Sequence, residues 1–98
     1  MPIIYEYLGI TIGFYSNDHY PVHIHATYND AVLKVVLHNR DGKVYRTTYH
    51  PLKGTFPANK LRQLKSFVAK YKEAILFAWE QVFKYNNSIQ KIVISKKI

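Results

Sequence analysis

"AVLKVVLHNRDGKVYRTTYH", Ala31 to His50, decides the fold. Asp41-Gly42 separates two runs rich in β-branched and aromatic residues. Asp and Gly tolerate the positive φ of a two-residue hairpin turn, so the runs predict paired antiparallel strands. Upstream, "YNDA" marks another tight turn at Asn29-Asp30, and "VHIHATY" before it reads as a strand. Further back, "IIYEYLGITIGFY" reads as strand sequence broken at Gly9. Within it Ile10, Ile12 and Phe14 fall on one face and Thr11, Gly13 and Tyr15 on the other, as a period of two requires. These runs, joined by short turns, predict an antiparallel meander of about five strands.

Downstream the character changes. Pro51, Gly54 and Pro57 predict a connector. A helix is then expected from about Pro57 to Tyr85, because Leu61, Leu64, Phe67, Val68, Tyr71, Ile75, Ala78, Trp79, Val82 and Phe83 recur at steps of three and four. Proline suits an early helical position, where its missing N–H costs nothing. Unbroken, such a helix would be about 40 Å long, so a kink or split near Lys70 is considered as well. "NNS" ends it, and "IQKIVISKK" reads as a final strand. The predicted class is α+β, a meander packed on one long C-terminal helix, with a candidate C-terminal strand. Residues 1–98 form a single domain without repeats, and the stripe through Trp79 reads as core rather than a cofactor box. Alternation along strands also explains most of the nine tyrosines, although some could stack on bases.

The chain has no cysteine, which excludes disulfides, thiol catalysis and cysteine-ligated zinc and fits a reducing cytoplasm. The N-terminus lacks a basic region and a small-residue cleavage site, so no signal peptide is expected. No apolar run reaches the roughly 18–20 residues that span a membrane. No phosphate-cradling glycine loop, H-E-x-x-H or nucleophile-elbow pattern occurs. Ser16 lies near His19 without an evident oxyanion loop, which argues against a serine nucleophile.

The net charge of +8 is unevenly spread. Residues 1–33 hold Glu6, Asp18 and Asp30 and no Lys or Arg, whereas all 14 basic residues lie in residues 34–98. An acidic partner or nucleic acid would therefore meet the second half, with Arg46, Lys65 and Lys72 as candidate contacts. An ordinary solvated basic surface is the plainer alternative.

Three of the five histidines, His19, His23 and His25, fall within seven residues. On a strand, His23 and His25 project from one face, opposite Ile24, Ala26 and Tyr28. If the apolar set faces the helix, both imidazoles are expected on the opposite surface. Alternate Cα atoms stand about 6.5–7 Å apart, close enough for two imidazoles to share an ion. His19 and Asp18 in the preceding turn would complete three or four N/O ligands for Zn, Mn, Fe or Ni. The same four residues are the candidate catalytic set, as metal ligands, general base or orienter. Two other readings stand beside this one. The histidines can serve a turn and strand structurally, with Asn17 and Asp18 bonding backbone, or they can form a partner-contact surface. His38 and His50 read as exposed strand-end residues.

"FYSNDHYPVHIHATY" resembles the signature of a bacterial domain-of-unknown-function family numbered 4160. Tyr15, Ser16, Asn17, Asp18, His19, Pro21, His23 and His25 match its Y-S-N-D-H-x-P-x-H-x-H pattern, and Trp79 matches a tryptophan of its helix. Tyr20 and Val22 depart from the prolines common in that loop, and the C-terminal "IVISKKI" exceeds the short ends of the family. The resemblance implies a small cytoplasmic protein paired with a small protein encoded nearby, in modules of toxin–antitoxin type. A protein-binding role is the first expectation. The alternatives are a histidine-dependent metal hydrolase or ribonuclease and a non-catalytic nucleic-acid-binding domain. Whether the chain is an enzyme stays open at this point.

Overall fold

A computed structural model of the chain describes residues 3–14, 21–83 and 91–98. In chain order the elements are β1 (Ile3–Tyr7), β2 (Ile10–Gly13), β3 (His23–Tyr28), β4 (Ala31–Arg40), β5 (Lys43–Lys53), α1 (Ala58–Phe83) and β6 (Ile92–Ile94). The strands form one six-stranded sheet in the order β5-β4-β3-β2-β1-β6. The expected α+β meander is therefore present, and the C-terminal strand joins it. β6 runs parallel to β1 because α1, not a hairpin, carries the chain back to that edge.

The turns follow from their residues. Leu8-Gly9 and Asp41-Gly42 each place two successive residues at positive φ, 49° and 84° in the first and 52° and 78° in the second. That is the signature of the type I′ hairpin, whose twist matches the flanking strands. Asn29 takes a φ of 52° at the third turn.

The expected connector begins later than its prolines suggest. Pro51 lies within β5, paired with Leu33, and a register shift leaves Leu52 bulged before Lys53 meets Val32. Proline is tolerated there because β5 is an edge strand, where an outward N–H has no ladder partner to lose. A second shift, between His38 and Asn39, leaves Tyr45 as the extra residue and turns Val44 into the core.

α1 is continuous over 26 residues, so it has no split near Lys70. Pro57 stands just before it, its carbonyl accepting the Leu61 N–H at 2.9 Å. The expected continuation to Tyr85 lies outside the described residues. Leu64, Phe67, Val68, Ile75, Leu76 and Trp79 are the buried stripe. They meet the sheet face built by Tyr5, Tyr7, Ile10, Ile12, Phe14, Ile24, Ala26, Leu33, Val35 and Leu37. Tyr5 meets Phe67 edge-on at 5.1 Å between ring centroids, and Phe14 meets Trp79 at 5.3 Å. Trp79 is fully buried, as its place in the stripe predicts. Each such large side chain contributes roughly 1.5–3 kcal/mol by leaving water.

Candidate functional site

The pleat of β3 sets the histidine pair. Ile24 and Ala26 enter the core, and His23 and His25 take the alternate positions. The two imidazole centroids stand 5.4 Å apart, with ring planes at 85°. The expectation of two surface imidazoles is corrected for His23, which is only 8% exposed. β3 extends past the end of β2, and the His23 ring lies 5.4 Å from the Trp79 ring of α1. An aromatic wall therefore closes the position that alternation alone would leave open. His25 is half-buried.

The His23 Nδ1 and the Pro21 carbonyl oxygen lie 2.8 Å apart. A carbonyl only accepts, so Nδ1 carries the proton and Nε2 the lone pair in the neutral ring. The arrangement suits a base or a metal ligand, because a backbone carbonyl on one ring nitrogen orients the other. His19 and Asp18, the other two members of the predicted set, lie outside the described residues, as does Ser16. Among the described residues no group of three or more His, Asp or Glu side chains is placed to hold a metal ion.

The remaining histidines do not join this pair. His38 and His50 both place Nε2 against the Thr48 hydroxyl, at 3.2 and 2.9 Å. His50 is exposed, but His38 is half-buried two residues before the end of β4, which corrects its reading as an exposed strand-end residue. Cross-strand pairing with β5 and the hydroxyl of Thr48 account for its partial burial.

The three predicted contact cations do come together. Arg46 of β5 and Lys65 and Lys72 of α1 line one groove of about 400 Å³, between the outer edge of β5 and the helix. Tyr45 and Tyr49 share it. Lys65 Nζ sits 5.3 Å from the centre of the Tyr49 ring, a cation–π contact. Burial pushes the Tyr49 phenol above its ordinary value of 10.0, against a smaller lowering by a hydrogen bond with Thr47. Tyr49 thus stays a neutral hydroxyl in the groove. Beside it Glu73 accepts the Val44 N–H at 3.0 Å and ties the start of β5 to α1.

A second hollow, lined by Arg40, Asp41, Lys43 and Tyr45, continues the strip onto the β4–β5 turn. Tyr45 is 63% exposed, with the Arg40 guanidinium 5.6 Å from its ring centre. Sequence reasoning missed Arg40, Lys43 and Tyr45. The available signal was their density around Asp41-Gly42, but only the bulge at Tyr45 turns that ring outward.

No described helix is long and apolar enough to cross a membrane. No curated protein and no solved structure matches the chain. One family does match, over residues 9–80, and these span β2 to β5 and α1 as far as Glu80. The chain belongs to the family described as Domain of unknown function (DUF4160).

Proposed function

We propose that the chain is a protein-binding component of a toxin–antitoxin-like module and takes its partner at the β5 edge. The occupant is an extended acidic segment of a small protein. The observation that carries this is the juxtaposition of β5 with the basic groove. β5 is 11 residues long, pairs only with β4 among the described strands, and borders the groove lined by Arg46, Lys65 and Lys72. An edge strand offers main-chain N–H and C=O groups to an added strand, and side-chain pockets beside it select the sequence. Three cations favour carboxylates over apolar side chains in those pockets. Tyr45 and Leu52, 63% and 55% exposed on the same strand, are apolar anchors. Nucleic acid would meet the same three cations, but the unpaired main-chain edge of β5 beside them favours an added peptide strand.

Co-expression of the untagged chain with the product of the adjacent gene, followed by size-exclusion chromatography, tests the reading. A stable complex is expected, and the double variant Arg46→Glu, Lys72→Glu is expected to dissociate it. Failure to co-elute, or a complex indifferent to the double variant, overturns the assignment of this edge. If the chain instead binds oligonucleotides with an affinity that falls steeply with salt, the nucleic-acid reading replaces it.

A further inference from the structure

We infer that His23 and His25 form a two-imidazole binding site for a divalent transition ion of the zinc, nickel and copper group. The site is independent of the β5 edge and stands or falls separately from the protein-binding role. Three observations meet here. First, two imidazoles on one tetrahedral ion, with metal–nitrogen bonds of about 2.0–2.1 Å, place their ring centroids about 5 Å apart. The His23 and His25 centroids are 5.4 Å apart, close to that separation. Second, the Pro21 carbonyl at 2.8 Å from Nδ1 fixes the His23 tautomer and leaves Nε2 as the donor nitrogen. A ligating imidazole commonly has such a second-shell acceptor on its other nitrogen. Third, His23 is held against Trp79, at 5.4 Å, so one ligand is positioned before the ion arrives. Both rings have other contacts in the folded chain, and the ion must compete with these.

The ligand chemistry sets the ion class. Imidazole suits zinc, copper, nickel and iron, whereas calcium and magnesium require oxygen ligands. Two protein nitrogens leave the remaining positions to water or a further donor, which gives an open site. The alternative location for an ion on this sheet is His38 and His50, whose Nε2 atoms approach Thr48 from β4 and β5. The test must therefore separate the two pairs.

Trp79 makes this direct. It is the chain's one tryptophan and touches His23. Titration of the untagged full chain with nickel(II), an open-shell quencher, is expected to quench tryptophan fluorescence and to saturate at one ion per chain. Zinc(II), which does not quench, is expected to compete and restore the signal. His25→Gln is expected to abolish the saturable quenching, and the double variant His38→Gln, His50→Gln is expected to leave it intact. Absence of saturable quenching in the wild type, or its persistence in His25→Gln, overturns the site. Imidazole nitrogen NMR of the wild-type chain settles the matter should a variant fail to fold. Zinc is expected to shift the His23 and His25 ring nitrogens. Shifts confined to His38 and His50, or no shifts, overturn the proposal.

Discussion

Lys60 Nζ donates a hydrogen bond to the Leu8 carbonyl oxygen at 2.6 Å, tying the first turn of α1 to the β1–β2 turn across 52 residues of chain. Leu8 holds a φ of 49°, which a branched side chain adopts only at a cost of roughly 1–2 kcal/mol. Lys60 also sits 5.0 Å from the centre of the Tyr28 ring. One cation thus braces a strained turn and packs on the adjacent hairpin. Lys60→Met keeps much of the aliphatic stem and removes the charge. It is expected to lower unfolding stability by about 1–2 kcal/mol in urea denaturation, in the range for a hydrogen bond from a charged donor.

The contact of His23 with Trp79 makes the tryptophan both a core residue and a wall of the histidine pair. Trp79 is fully buried between Phe14 at 5.3 Å and Phe83 at 4.2 Å. Trp79→Ala removes the largest fully buried side chain, at an expected cost of about 3–5 kcal/mol. A small domain is stable by roughly 5–15 kcal/mol, so a large share is lost. Thermal melts should show a marked drop in Tm. Trp79→Phe retains an aromatic filling and should lose much less.

Burial raises the Tyr5 and Tyr49 phenols above 10.0, and repulsion from the Tyr71 phenolate charge raises Tyr5 further. Their neutral forms are thus favoured in the folded chain. The stabilisation is fully present below pH 10, where folded and unfolded chains both hold these protons. Above pH 10 the unfolded chain releases its protons first, so stability falls until the folded pKa values are passed. Tm is expected to decline more steeply above pH 10 in the wild type than in a Tyr5→Phe variant. The difference between the two curves isolates the tyrosine from the lysines that discharge in the same range.

Much of this architecture was legible in local chemistry. Asp41-Gly42 and Asn29-Asp30 announced their hairpins, and the three- and four-residue spacing from Leu61 to Phe83 announced α1. What was not legible depended on neighbours. Pro51 read as a connector because its tolerance in β5 follows from edge position, which a local pattern does not encode. His23 reads as a surface residue because strand alternation does not encode the Trp79 ring that α1 brings to 5.4 Å from it. In the sequence, charge alone marks Arg46, Lys65 and Lys72. Their meeting in one groove depends on α1 passing beside the β5 edge.

Gly54 and Gly42 offer a matched pair of substitutions. Both take positive φ, 63° and 78°, so alanine at either is conformationally strained. An added Cβ at Gly42 meets nothing within 4 Å, so Gly42→Ala reports the backbone term alone, about 1 kcal/mol. At Gly54 the Cβ would lie 3.3 Å from the Ala31 Cα and 3.4 Å from the Asp30 carbonyl oxygen, both backbone atoms. Gly54→Ala must therefore also push apart the end of β5 and the β3–β4 turn. Its cost is expected to exceed that of Gly42→Ala, reaching about 2–3 kcal/mol by the same urea measurement. Equal costs would mean that the two turns separate freely.

The groove cations should separate binding from stability. Arg46 and Lys65 are exposed and Lys72 is half-buried, and all three line a surface concavity rather than the core. Reversing an exposed charge away from buried structure changes stability by roughly 0.5 kcal/mol or less, so Arg46→Glu should leave Tm near wild type. Lys65→Glu also loses the contact with the Tyr49 ring, about 0.5–1 kcal/mol more. Lys72→Glu sets a second carboxylate beside Glu73, the residue that accepts the Val44 N–H, and should loosen the start of β5 slightly. The order of thermal loss is thus expected to be smallest for Arg46→Glu. Partner affinity should fall in all three, because like charges would then face an acidic segment. A variant that keeps its Tm and its partner together would show that its cation lies outside the interface, and that outcome in all three would remove the groove from the binding surface.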